Sequence, residues 1–309
     1  MTKLEWCREN APTLWKNLTD EELLARMDSM YKDTLGASSN NTNVEIESVE
    51  YAPNKINEYL DYMVLELVRE FGNKLAFKGG YMLTKLMRNT ARQTTDIDFS
   101  ILSDDIYEQI KIKLWSICDH LQSTGVIDKY VIKDNIAHFM SGGADMYKNG
   151  RKVLGVDVGW HDISYGTVIR SIDVCDVNSF KVERMLADKI TAILSRKRFR
   201  RPKDLYDLYC ISECMEFDAK IVQEYILKRT DGKGADWQNY PFNEKVLIEY
   251  EKAYNSLQLE SIYSNVILER PTFDTVIGRF DVIAVRVKTV ESSLMWNVNT
   301  KCFNMHGGV

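Results

Sequence analysis

The tightest constraint in this sequence is a glycine pair followed, at a short interval, by an alternating pair of acids. An apolar run, Leu75-Ala76-Phe77, meets Lys78 and then Gly79-Gly80, after which the pattern turns helical. Sixteen positions beyond Gly80 stands Asp96-Ile97-Asp98, inside TDIDFSI at residues 95–101. A chain that turns on two glycines between an apolar run and a helical pattern reads as strand, tight turn, helix, strand. In the second strand residues i and i+2 share a face, so Asp96 and Asp98 project together while Ile97 points into the core. Two like charges held that close are costly unless a cation sits between them, and an oxygen-seeking divalent ion, Mg²⁺ (or Mn²⁺), is the natural occupant. The glycine turn offers backbone N–H groups at a helix N-terminus, which suits a phosphate. Each signal alone is equally compatible with a plain turn and a solvated strand.

Around this unit the chain divides into three stretches. Thr19 and Glu22 form a capping box for a helix running to about Tyr31, and a polar Gly/Ser/Asn-rich linker follows at 36–45. Residues 1–50 are therefore read as a helical extension with its linker. A mixed α/β core is expected over 51–176: a helix at 54–71, the unit above, a helix at about 104–122, and β structure over 128–174. The β structure is read from VIKD, then IAHFM, then an Asn149-Gly150 hairpin turn, then KVLGVDVGW. From about 178 the pattern is helical almost to the end, with Pro202, Pro241 and Pro271 where helices can start or break, which gives a helical domain over 177–309.

Composition excludes several classes. With 45% hydrophobic and 28% charged residues the chain is globular, and 40 Lys+Arg against 45 Asp+Glu excludes an even basic coat for nucleic acid. No apolar run of membrane-spanning length and no signal-peptide pattern occurs, so no membrane partner and a cytoplasmic location are expected. The six cysteines form no CxxC pair and the four histidines show no zinc spacing.

Three further features bear on chemistry. In Gly155-Val-Asp157-Val-Gly159 the acid shares its face with two glycines, so Asp157 projects where a ligand or metal can approach; a bulge or an edge strand with an exposed acid is the bland alternative. On the helix at 182–196, Lys189 lies close to the apolar stripe of Val182, Leu186, Ile190 and Ile193; a lysine there either reaches a partner or snorkels along the helix edge. In Lys203-Asp204-Leu-Tyr-Asp207, Asp204 falls among apolar positions and Asp207 at their border, and a buried carboxylate must be bonded, ion-paired or metal-bound. Between these helices Arg196, Lys197, Arg198, Arg200, Arg201 and Lys203 place six positive charges in eight residues, suited to phosphate or RNA backbone.

Taken together, FKGGYML (77–83), RQTTDIDF (92–99), Asp157, VERMLADKITAILSR (182–196) and RPKDLYDL (201–208) resemble the AbiEii/AbiGii nucleotidyltransferase-like toxins of type IV toxin–antitoxin systems, which are related to the MenT toxins. The resemblance spans about 54–212. It implies an α/β (α+β) fold, a DNA-polymerase-β-like nucleotidyltransferase core with a mixed sheet, followed by the helical C-terminal domain. It also implies a Mg²⁺-dependent enzyme that moves a nucleotide from an NTP to an RNA, with a tRNA 3′ end as the expected acceptor, in a growth-arresting, phage-defence role beside an antitoxin encoded nearby. By match to the family motifs, Asp96, Asp98, Lys189, Asp204 and Asp207 are the catalytic set. Lys78, Gly79, Gly80, Arg92, Thr94 and Lys189 hold the nucleotide, and Asp96, Asp98 and Asp157 hold metal. By its charge, and apart from any motif match, the cluster Arg196, Arg198, Arg200, Arg201 and Lys203 is expected to contact RNA, a solvated basic loop being the plain alternative. Arg92 could grip the triphosphate or brace the DxD strand, and either Asp157 or Asp204 could serve the second ion. The sequence departs from the commoner family form at Tyr81, where a small hydroxyl residue is usual, leaving one phosphate contact open. Two other readings of the same residues are an inactive nucleotide- or partner-binding module and a metal-dependent RNA phosphodiesterase.

Overall fold

A computed structural model of the chain describes residues 19, 21–22, 55–87, 91–92, 94–103, 106–134, 141–160, 166–195, 202–229, 237–256 and 270–305. The capping box is formed, with Thr19 N and Oγ1 donating to Glu22 Oε2 at 3.0 and 2.9 Å, and Glu22 N donating to Thr19 Oγ1 at 3.3 Å. The expected continuation to Tyr31 and the 36–45 linker lie outside the described residues.

Helix α1 (Ile56–Phe71) buries Ile56, Leu60, Met63, Val64, Leu67 and Phe71, one face at helical spacing, and ends at Gly72. Strand β1 (Leu75–Lys78) follows, with Leu75, Ala76 and Phe77 fully buried, as a central strand covered on both faces requires. Helix α2 (Gly79–Met87) and strand β2 (Asp96–Ile101) complete the expected unit. Helix α3 (Tyr107–Ser123) leads into an antiparallel meander of β3 (Lys129–Asp134), β4 (Ser141–Lys148) and β5 (Arg151–Trp160). The turn between β4 and β5 is the Asn149-Gly150 pair, with φ of 50° and 73°, both left-handed as a two-residue hairpin demands. The strand expected at IAHFM falls on residues outside those described, and β4 itself occupies the glycine-containing segment that follows.

Strands β6 (Thr167–Ser171) and β7 (Asp176–Phe180) close a seven-stranded mixed sheet of order β3-β4-β5-β2-β1-β7-β6. Since β7 pairs in parallel with β1, the sheet straddles the domain boundary expected at 176/177. Helices α1 and α3 pack against strands of the sheet and against each other.

The remainder comprises α4 (Val182–Leu194), α5 (Pro202–Cys214), α6 (Ala219–Arg229), α7 (Glu244–Asn255) and α8 (Phe273–Thr289). Helix α5 begins on Pro202, where a missing N–H costs nothing. The expectation of helix almost to the end needs correcting, because β8 (Leu294–Asn297) and β9 (Cys302–Met305) form a hairpin. Its anchor is Trp296, fully buried, 5.7 Å from the Phe217 ring, with its indole N–H donating to Ser212 O at 2.8 Å. Burial of one large aromatic outweighs helical periodicity in so short a segment.

Candidate functional site

Register alone assembles the centre of the site. Strands β2 and β5 pair in parallel with Asp96 opposite Gly155, Asp98 opposite Asp157 and Ser100 opposite Gly159. Lys78 of β1 lies opposite Asp98, Gly143 of β4 opposite Asp157, and Lys133 of β3 opposite Gly143. One rung therefore crosses five strands as Lys133, Gly143, Asp157, Asp98, Lys78, with all its side chains on one face. Alternation places Ile97, Phe99, Val156 and Val158 on the other face, where all four are buried.

The glycine turn abuts this rung. Gly79 has φ of 68°, and a Cβ there would fall on Asp98 Oδ2; a Cβ on Gly80 would lie 2.8 Å from Thr94 Oγ1. Only glycines let the start of α2 approach the acids so closely. Thr94 Oγ1 in turn accepts from Asp96 N at 3.3 Å and fixes the start of β2. Lys78 Nζ donates to Ser100 Oγ at 3.1 Å, and Gly159 leaves it room.

Lys189 projects inward from α4 and finds two partners on α5: Asp204 Oδ1 at 2.7 Å and Asp207 Oδ2 at 2.6 Å. Arg92 clamps the same Asp207 with two bonds, Nε to Oδ1 at 2.8 Å and Nη2 to Oδ2 at 3.0 Å. Arg92 thus joins the loop before β2 to helix α5, and it also lines the cleft described next. Burial works to raise the Asp207 pKa, but Arg92 and Lys189 outweigh it and hold the carboxyl at about 2. For Lys189 burial pulls downward, and Asp207 and Asp204 hold its ammonium above the usual value.

Two clefts meet at Asp98, Asp157 and Lys78. The first, of about 280 Å³, is lined by Lys78, Gly79, Gly80, Arg92, Thr94, Asp96, Asp98, Asp157, Lys189, Lys203 and Asp204 among others. That is every described member of the expected site except Asp207, which lies behind the wall and reaches it through Arg92 and Lys189. Asp188, beside Lys189, also lines this cleft, and nothing in its sequence context singles it out. The second cleft, of about 370 Å³, lies on the other flank, between Lys78, Lys133, Gly142, Val158 and Gly159. Of the expected RNA contacts Lys203 is exposed at the start of α5, while Arg196, Arg198, Arg200 and Arg201 lie outside the described residues.

Tyr81 faces away from both clefts. It is 2% exposed, donates to Asp61 Oδ1 at 2.8 Å, and burial pushes its phenol far above the ordinary value. The side chain after the glycines therefore contributes packing and a hydrogen bond to Asp61, and lines neither cleft.

Among the described residues no three His, Cys, Asp or Glu side chains converge into a ready-made metal cage. The acids nonetheless fit a divalent ion of the kind that uses one or two carboxylates and completes its shell with phosphates and water. Burial, and next the charge of Asp157, raise the Asp98 pKa against the pull of Lys78 and Lys189. Asp96 Oδ1 is buried and accepts no well-aligned hydrogen bond, with Lys152 Nζ 3.0 Å away. Lys133 Nζ lies 2.6 Å from Asp157 Oδ1. Ammonium groups thus pair with the outer acids, while Asp98 is held above the ordinary carboxylate range chiefly by burial.

The sequence matches the family described as nucleotidyl transferase AbiEii toxin, type IV TA system, over residues 66–279. Similar solved structures include the nucleotidyltransferase toxin MenT4 of Mycobacterium tuberculosis, at 16% identity over 78% of this chain and 85% of that one, TM-score 0.46. JHP933 from Helicobacter pylori aligns at 14% identity over 76% and 91%, TM-score 0.45. The Megavirus polyadenylate synthase aligns at 16% identity over 63% and 36%, TM-score 0.37. No curated protein matches the sequence.

Proposed function

The chain belongs to the nucleotidyl transferase AbiEii toxin family of type IV toxin–antitoxin systems, and from that premise we propose that it transfers a nucleotide from an NTP to an RNA, with a tRNA 3′ end as acceptor and Mg²⁺ as cofactor. The observation that carries this reading is the Asp98–Asp157 pair at the seam of two clefts. In-line displacement at the α-phosphorus needs the leaving pyrophosphate and the attacking hydroxyl on opposite sides. The first cleft supplies the phosphate side, with N–H groups at the start of α2 and the ammonium of Lys189 to hold the developing charge. The second, flanked by Lys78 and Lys133, suits a phosphodiester-bearing acceptor.

In the step itself the acceptor oxygen bonds to the α-phosphorus, the bond to the bridging oxygen of the β-phosphate breaks, and pyrophosphate leaves. Asp157, with its side chain 55% exposed beside the second cleft, is better placed than Asp204, which is 6% exposed, to serve the second ion or take the hydroxyl proton. Asp96, Asp98 and Asp157 would hold Mg²⁺, which would supply charge neutralisation at the phosphoryl oxygens and lower the pKa of the attacking hydroxyl. Asp207 acts as a positioning residue through Arg92 and Lys189.

Both substrates belong to the cytoplasm, and no helix among the described residues is long and apolar enough to cross a membrane. The family implies an antitoxin partner, and a gene for one next door would fit a role in phage defence. Incubation with each labelled NTP, Mg²⁺ and total tRNA should label tRNA with the wild type and not with Asp98→Ala. No labelled RNA with any NTP would favour a pure binder. RNA fragments released without NTP would identify a phosphodiesterase.

A further inference from the structure

Two lysines on the β3–β5 flank pair directly with the outer acids and share a third carboxylate, Asp145, that the transfer reaction does not itself require. Lys133 Nζ lies 2.6 Å from Asp157 Oδ1 and 3.2 Å from Asp145 Oδ1. Lys152 Nζ lies 2.8 Å from Asp145 Oδ1 and 3.0 Å from Asp96 Oδ1. The charges alternate without a gap: Asp157, Lys133, Asp145, Lys152, Asp96. The chain of charges starts and ends on acids assigned to metal, and Asp145 sits at its middle with both lysines on one oxygen.

The backbone is shaped to allow this. By strict alternation Lys152 would share the face of Leu154 and Val156, which are fully buried. A register shift between β4 and β5 at Met146/Tyr147 instead turns Lys152 onto the acid face. Its path to Asp96 crosses Gly155, where an added Cβ would fall on Asp96 Oδ1 and lie 2.7 Å from Lys152 Nζ. Lys133 reaches Asp157 across Gly143, which has φ of 145° and no room for a side chain against Val156 O. One bulge and two glycines thus serve two ion pairs.

We propose that Asp145 is a positioning residue for metal loading: it shares Lys133 and Lys152 with Asp157 and Asp96, and takes over both ammonium groups when a divalent cation claims those acids. The inference rests on the nucleotidyltransferase reading of Asp96 and Asp157. A cation arriving at either acid displaces an ammonium, and a displaced half-buried lysine with no second carboxylate would be left uncompensated. Asp145 already contacts both, so displacement leaves each ammonium in an existing pair instead of stranding a charge.

The test is Mn²⁺ titration of the full chain without nucleotide, read by the electron spin resonance of the free ion, with circular dichroism to establish folding. Asp145→Asn should weaken Mn²⁺ binding about tenfold, because both lysines then compete for Asp96 and Asp157 undivided. Lys133→Ala with Lys152→Ala should tighten it severalfold, and adding those changes to Asp145→Asn should restore affinity to the wild-type level or beyond. An unchanged affinity in Asp145→Asn overturns the proposal, as does a loss that removing the lysines does not reverse. The lysine double variant stands as an independent check should Asp145→Asn fold poorly, and looser binding there is equally fatal. Absence of Mn²⁺ binding in every protein, wild type included, would overturn the metal reading itself, a pattern distinct from the others.

Discussion

Asp207→Asn offers the most direct measure of what holds the two halves of the site together. The Asp207 side chain is 3% exposed and receives Arg92 at 2.8 and 3.0 Å and Lys189 at 2.6 Å. Removing one member of a buried ion pair costs about 3–5 kcal/mol, since the partner's charge stays behind. The lower end applies here, because Lys189 keeps Asp204 at 2.7 Å and both cations also face a cleft. The proton linkage gives an independent figure: a carboxyl lowered from 3.8 to about 2 contributes about 2 kcal/mol above pH 4. Asn should therefore cost about 2–3 kcal/mol at pH 7, seen as a fall in Tm of roughly 5 °C. Since the folded pKa is the lower one, the wild-type advantage should be flat from pH 5 to 8 and vanish as pH falls from about 4 toward 2. A double-mutant cycle with Arg92→Gln should show coupling of about 1–2 kcal/mol. Stability within about 0.5 kcal/mol of wild type, or strictly additive single losses, would refute the bracing role.

Three other outcomes follow from the same geometry. Asp98→Asn should abolish transfer yet raise the Tm of the metal-free protein at pH 8: an acid whose folded pKa is raised costs stability above its unfolded pKa, so the wild type should also gain stability as the pH is lowered through the folded pKa. Gly79→Ala, forced to φ of 68° and onto Asp98 Oδ2, should lose about 1–2 kcal/mol in urea unfolding and lose nucleotide binding by calorimetry. Tyr81→Phe should cost about 1 kcal/mol through its bond to Asp61 while leaving the KM for NTP unchanged, because the hydroxyl faces away from the phosphates.

Much of the fold is legible in the sequence wherever a period or a turn fixes it. Alternation in β2 and β5 predicts that Asp96 and Asp98 share a face and that Asp157 rises between glycines, and the NG step predicts the β4–β5 hairpin. The inward angle of Lys189 predicts a partner, and two are present. What alternation cannot supply is which strands are neighbours. That Asp98 stands beside Asp157 depends on β5 pairing with β2 after an excursion through α3, β3 and β4. Lys133 and Lys152 read as ordinary solvated lysines, and Lys152 sits on the wrong parity for the acid face until a bulge shifts it. Asp207 reads as a border acid, because its burial is created by Arg92, which lies 115 residues earlier in the chain. The C-terminal hairpin is hidden for a similar reason, its stability coming from the pocket around Trp296 and not from its own four-residue strands.

That separation of 115 residues between Arg92 and Asp207 also has a meaning in time. Ribosomes add about 5–20 residues per second, so roughly 6–23 s pass between the appearance of the arginine and of its aspartate. Through that interval the acids of β2 exist without the complete helix α5, whose Asp204 and Asp207 pair Lys189. Nascent or prematurely terminated products that end before this helix therefore carry β2 and Arg92 but lack the two acids that pair Lys189, so the contact joining the two halves of the site forms only after about two-thirds of the 309 residues have been made.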